Sequence, residues 1–107
     1  MARLKINSKP TGSVIADVVV ERLRQLGKWP REHDACHCRG ELCVRAAELA
    51  LAGTDEFLYP APHLGGVDAW GLCAKHKGDR RKQLVVAAAL LVAEIERLDQ
   101  EDDDGEA

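Results

Sequence analysis

Between Leu84 and Ala93 the chain runs ten residues without a polar side chain. This run sits inside a longer pattern, in which Leu84, Ala88, Leu91, Ile95 and Leu98 recur at alternating steps of four and three. That is the a/d spacing of an α-helix, and it excludes a strand, whose faces alternate at every second residue. The spacing predicts a helix from about Asp79 to Asp99. Because it is apolar nearly all round over 84–93, it is expected to be the buried central helix of a bundle or the seam of a dimer. Ten apolar residues are about half of what a membrane span needs, so no membrane partner is expected. Trp29, Trp70, Phe57 and Tyr59 are the only aromatic side chains among 107 residues. Leu, Val and Ala must therefore supply the core, which favours helices over a β-sandwich.

Two further helices are expected. Ser13 can cap one that runs to about Leu26 and stops at Gly27. Ile15, Val18, Val19, Leu23 and Leu26 share its broad apolar face, with Asp17, Glu21, Arg24 and Gln25 on the other side. Lys28-Trp29-Pro30 then reads as a turn. The second helix is expected from near Gly40 to Leu51, with Leu42, Ala46, Leu49 and Ala50 as its stripe and Gly53 as its end. Residues 54–72 hold Pro60, Pro62, Gly65 and Gly66 and read as a long irregular loop, packed down by Phe57, Leu58, Tyr59 and Trp70. The expected fold is all-α: a small bundle of three main helices with that loop before the central C-terminal helix. Residues 1–12 read as a flexible arm, 13–99 as a single helical domain and 100–107 as an acidic disordered tail.

The chemistry-bearing residues concentrate in two places. Residues 33–43 read H-D-A-C-H-C-R-G-E-L-C. His37 and Glu41, four apart at the entrance to the second helix, can face the same way, with His33 and Asp34 just before them. Together they could hold a divalent ion or hydrogen-bond a ligand; alternatively Asp34 and His37 cap the helix and Glu41 favours its dipole. The second place is the entrance to the third helix, where Lys75, His76, Lys77, Arg80, Arg81 and Lys82 crowd together. Cations there oppose the macrodipole, and a bound phosphate would reverse the penalty. The alternative is a charged turn with Asp79 as N-cap and Arg80 or Arg81 paired to acidic residues of the first helix. Cys38-x4-Cys43 with Cys73-x2-His76 has the form of a small Zn2+ site, although a cysteine on a helical apolar stripe also serves as a small buried hydrophobe. Cys36-x-Cys38 is not the C-x-x-C of thiol redox chemistry. A net charge of −3 argues against non-specific nucleic-acid binding. The lack of an N-terminal apolar segment and of a membrane span suggests a cytoplasmic setting, where thiols stay reduced.

Four blocks carry a resemblance. Glu21-Arg22 with Arg24-Gln25 give E-R-x-R-Q; Trp29 with Glu32-His33-Asp34 gives W-x-x-E-H-D; His37 with Gly40-Glu41-Leu42 gives H-x-x-G-E-L; and Asp79-Arg80-Arg81 leads into L-V-V-A-A-A-L-L-V-A-E-I-E-R-L-D. Over about residues 14–99 the chain resembles a family of small phage and prophage proteins. The resemblance implies a helical accessory protein of the host cytoplasm with no established reaction. The opening blocks are also similar to phage MazG-like all-α nucleotide pyrophosphohydrolases, in which helical acidic residues hold Mg2+. Here the second helix offers only Glu41 and Glu48, and the third only Glu94, Glu96 and Asp99. The expectation is therefore a non-enzymatic, homodimeric phage accessory protein. It would bind a phosphorylated, nucleotide-like molecule or a host protein through His33, Asp34, His37, Glu41, Lys77, Arg80 and Arg81. The alternatives are a Mg2+-dependent nucleotide pyrophosphohydrolase, or a protein- or nucleic-acid-binding module stabilised by zinc on Cys38, Cys43, Cys73 and His76.

Overall fold

The structure, a computed structural model, describes residues 10–56 and 62–105. Among them are five α-helices, a 3-10 turn at Pro62–Leu64 and no strand. The helices are α1 (Thr11–Lys28), α2 (Arg31–Ala35), α3 (Glu41–Leu51), α4 (Leu72–Lys75) and α5 (Arg80–Gly105). The all-α fold with the C-terminal helix at its centre is the one expected. Phe57, Leu58 and Tyr59 and most of the N-terminal arm lie outside the described residues.

Prolines set the first boundaries. Pro10, at φ −56°, starts α1, and its carbonyl accepts from the N–H groups of Ser13 and Val14. The expected Ser13 cap is therefore not used. Gly27 does not stop the helix either. It ends at Trp29, extended at φ −132° because it precedes Pro30. Pro30 then opens α2, accepting from the N–H groups of His33 and Asp34. His33 and Asp34 thus sit on a short helix of their own ahead of α3. Gly40, at φ 91°, takes the left-handed conformation that lets α3 start in a new direction.

α5 joins the pieces. Asp79 caps it, its Oδ1 accepting from Lys82 N–H at 3.1 Å. Arg80 reaches back to the end of α3 and donates to the carbonyls of Leu49 (3.1 Å) and Ala50 (2.6 Å), which the helix leaves without partners. Its side chain passes close against Gly53, where a Cβ would collide with Arg80 Cδ and Nε. At the other end, the acidic run expected to be a disordered tail is helical to Gly105. Arg97 spans it, pairing Glu94 at i−3 and Glu101 at i+4, both at 2.6 Å.

α1 and α3 both pack against α5 and meet each other little. The core lies on the α3 side. Leu42, Ala46 and Leu49 of α3 pack with Val86, Ala87, Leu90 and Ala93 of α5, and Leu72 and Cys73 close it. The α3 stripe faces as expected. The other two do not. On α5, Leu84, Leu91, Ile95 and Leu98 are exposed, while Val85, Val86, Ala89, Leu90 and Ala93 are buried. On α1, Ile15, Val19 and Leu23 are exposed and Glu21, Arg22 and Gln25 are buried. Periodicity reveals which residues share a face, not which face turns inward. Here α1's polar face turns inward because its charges find partners there. Arg22 bonds Asp34 and Glu96 at 2.9 Å each, and Glu21 receives Arg24, Gln25 and Lys82.

Candidate functional site

The gap between α1 and α3 is a cavity of about 400 Å³. Its floor is Val86 and Leu90 of α5, with Leu42 and Leu72 beside them, and Arg24 and Gln25 form the α1 wall. The opposite rim is aromatic. Trp29 stacks near His33 (centroids 6.5 Å apart, planes at 24°), His33 meets His37 edge-on at 4.9 Å, and His37 meets Trp70 at 4.9 Å. The two imidazole Nε2 atoms are 3.3 Å apart, a hydrogen bond that needs one ring to offer its lone pair. On its far side, His37 Nδ1 lies 3.5 Å from Glu41 Oε2. Burial raises the Glu41 carboxyl, but its own N–H, the N–H of Arg39 and His37 outweigh that and hold it below the ordinary value. His37 is thereby held between a carboxylate and a second imidazole.

Each wall has its own support. Asp34 lines the cavity, but its Oδ2 accepts from Arg22, so it also fastens α2 to α1. Glu21, one turn from Gln25, keeps its charge inside. Burial pushes its carboxyl up, yet the hydrogen bonds from Arg24, Lys82 and Gln25 prevail and lower it to about 2. Trp70 is positioned from below by a buried ion pair on α3. Arg45, with its side chain 1% exposed, sits 3.1 Å from Glu48 and donates to the Gly66 carbonyl. Glu48 accepts from the Asp68 N–H, and the Asp68 carboxylate caps α4 by accepting from Cys73 and Ala74 N–H. Asp68 itself stands at φ 50°, strained for a non-glycine residue. Arg45 carbon Cζ lies 5.9 Å from the Trp70 ring centre. One α3 pair therefore shapes the loop that carries the indole.

The structure brings together part of what the sequence nominated. His33, Asp34 and His37 line the cavity, and Glu41 stands behind His37. The capping alternative for Asp34 and His37 is not what they do, since α3 starts at Gly40 with no side-chain cap. Lys77, Arg80 and Arg81 do not line the cavity. Arg80 holds the end of α3, Arg81 pairs Asp17 at 2.8 Å, and Lys77 is exposed. The charged-turn alternative describes this end of α5. Trp29, Trp70 and Gln25 were not nominated as site residues. The available signal was that the only two tryptophans of an aromatic-poor chain flank the His/Asp block.

Cys38, Cys43, Cys73 and His76 do not converge, and among the described residues no three His, Cys, Asp or Glu side chains are grouped to hold a metal. Cys43 instead lies 3.7 Å from Glu94. Cys73 packs against the core, and burial, then Asp68, raises its thiol to about 11, the opposite of what a thiolate ligand needs. Burial and the neighbouring Lys75 and Lys82 lower His76. Glu48, Glu94 and Glu96, candidate Mg2+ ligands, are each committed to an arginine. Compared with known proteins, the chain matches no family model, no curated protein and no solved structure.

Proposed function

We propose that the protein is a binding module, without catalysis, for a planar heteroaromatic molecule of nucleobase type. The observation that carries this is the cavity between α1 and α3, which has an aliphatic floor and two indoles and two imidazoles along one rim. A volume near 400 Å³ lies in the range of small-molecule sites. Stacking of a base on an aromatic ring contributes about 1–3 kcal/mol and tolerates many ring types. His33, His37, Asp34 and Gln25 supply the few polar edges that would orient such a ring. Lys28, 4.7 Å over the Trp29 ring, is the cation placed to meet a phosphate, while Arg24 on the wall is held by Glu21. This is the phosphorylated, nucleotide-like ligand expected from the sequence, held at a different cation. In the setting the resemblance suggests, the protein would act as a phage accessory factor in the host cytoplasm by holding such a molecule.

Both tryptophans of the chain line the cavity, so tryptophan fluorescence, excited where tyrosine does not absorb, reports on this site. Titration with nucleosides and their mono- and diphosphates is expected to give saturable quenching, with tighter binding for the phosphorylated forms. Trp70→Ala and His37→Ala should abolish it. Flat titrations across the panel would overturn the proposal.

A further inference from the structure

The face of the molecule opposite the cavity is apolar and covered by nothing in the chain's described residues. A helix turns about 100° per residue, so Ile95 lies half a turn from Val86 on the cavity floor. By the same geometry Leu23 lies nearly half a turn from Gln25 on the cavity wall. On α5 the exposed Leu84, Leu91, Ile95 and Leu98 therefore form a stripe turned away from the cavity floor, and on the adjoining α1 Ile15, Val19 and Leu23 are exposed as well. At 44–61% exposure each, these seven side chains are half out of the protein. A row of large exposed aliphatic side chains of this kind marks an interaction surface on a folded protein rather than ordinary scattered exposure.

We infer that this face is covered by a second copy of the chain, with the two α5 helices antiparallel across a twofold axis. Two observations select this occupant. The exposed α5 stripe keeps a/d spacing, the pattern that seats one helix against another, and in an antiparallel pairing Leu84 meets Ile95 of the other copy and Ala88 meets its Leu91. The ends of α5 are also oppositely charged. Lys75, Lys77 and Arg80 stand at its start, beside Arg81 and Lys82 that pair Asp17 and Glu21, and Asp99 and Asp102 stand toward its end, beside Glu101 that pairs Arg97. An antiparallel partner sets each basic start beside an acidic end, whereas a parallel partner sets like charges together. The cavity stays open in such a dimer, so this inference and the proposed function stand or fall separately.

The full-length protein in sedimentation velocity should show twice the chain mass. Leu91→Glu places a carboxylate in the middle of the seam and should give a monomer whose helical circular dichroism is unchanged. Asp99→Lys with Asp102→Lys, both exposed and harmless to the fold, should weaken the dimer about tenfold at low salt by opposing the partner's basic start. A wild-type monomer at the highest soluble concentration overturns the inference, as does a folded Leu91→Glu dimer. A dimer strengthened by the double lysine variant overturns the antiparallel arrangement.

Discussion

α3 and α1 pack on the same helix, but they are held in opposite ways. The α3–α5 contact is a dry core of Leu42, Ala46, Leu49, Val86, Ala87, Leu90 and Ala93. The α1–α5 contact is made of charges: Arg22 with Glu96, Glu21 with Lys82, and Asp17 with Arg81, with Arg22 also reaching Asp34 of α2, while Ile15, Val19 and Leu23 of α1 face out. Apolar burial is non-directional and stabilises outright. Buried ion pairs return little net stability but tolerate only one geometry, because a single missing partner strands the rest. The first interface holds the molecule together; the second sets the register of α1 and α2, and hence the width of the cavity between them and α3.

Removing one partner from the charged interface should have the largest effect. Arg22→Ala leaves Asp34 and Glu96 without their shared cation and should cost about 3–5 kcal/mol in urea unfolding. A loss under 1 kcal/mol would mean that α1 is held by something other than its ion pairs. In the apolar interface, Leu49→Ala, at a fully buried position, should cost about 2–5 kcal/mol. The two interfaces should also part under acid. The Glu21 carboxyl sits at about 2 in the fold against 4.5 ordinarily. Its contribution is therefore complete above pH 4.5 and is lost as the pH falls toward 2. Glu21→Gln should flatten that acid dependence, whereas Leu49→Ala should lower stability equally at every pH; parallel acid curves for wild type and Glu21→Gln would contradict the assignment. The smallest effect belongs to α1's outer face, where Leu23→Ser should change monomer stability by no more than about 0.5 kcal/mol, measured in the Leu91→Glu background to keep the dimer out of the comparison.

The same contrast explains what could be read from the sequence. The α3 stripe was legible because Leu42, Ala46 and Leu49 share a face and no charge competes for it. Asp79 as a cap was legible because helix caps follow local rules, whereas Arg81 finds Asp17 of α1 from 64 residues away, as the charged-turn alternative allowed. α1 misled because its amphipathic pattern is genuine but inverted: Arg22 is satisfied by Asp34 and Glu96, and Glu21 by Lys82 as well as by its helix neighbours Arg24 and Gln25, and the Lys82 and Glu96 partners lie far along the chain. Arg45 and Glu48 were hidden for the same reason, since charged residues on a short helix read as solvent-facing until the loop they hold is seen. Of the site, the His33/Asp34/His37 part was visible as a dense local block. The Trp70 wall was not, because it comes from the far side of a loop whose shape is set by that buried pair.

The most direct test is the two-dimensional amide and indole NMR spectrum of the protein with and without a nucleotide. The account expects the indole N–H signals of Trp29 and Trp70 to shift together and saturate at one ligand per chain, with His33 and His37 shifting alongside them. Signals of Ile15, Val19 and Leu23, which do not line the cavity, should stay in place. Indole signals unmoved by every nucleotide tried, or shifts centred on the start of α5 at Lys77 and Arg81, would contradict it.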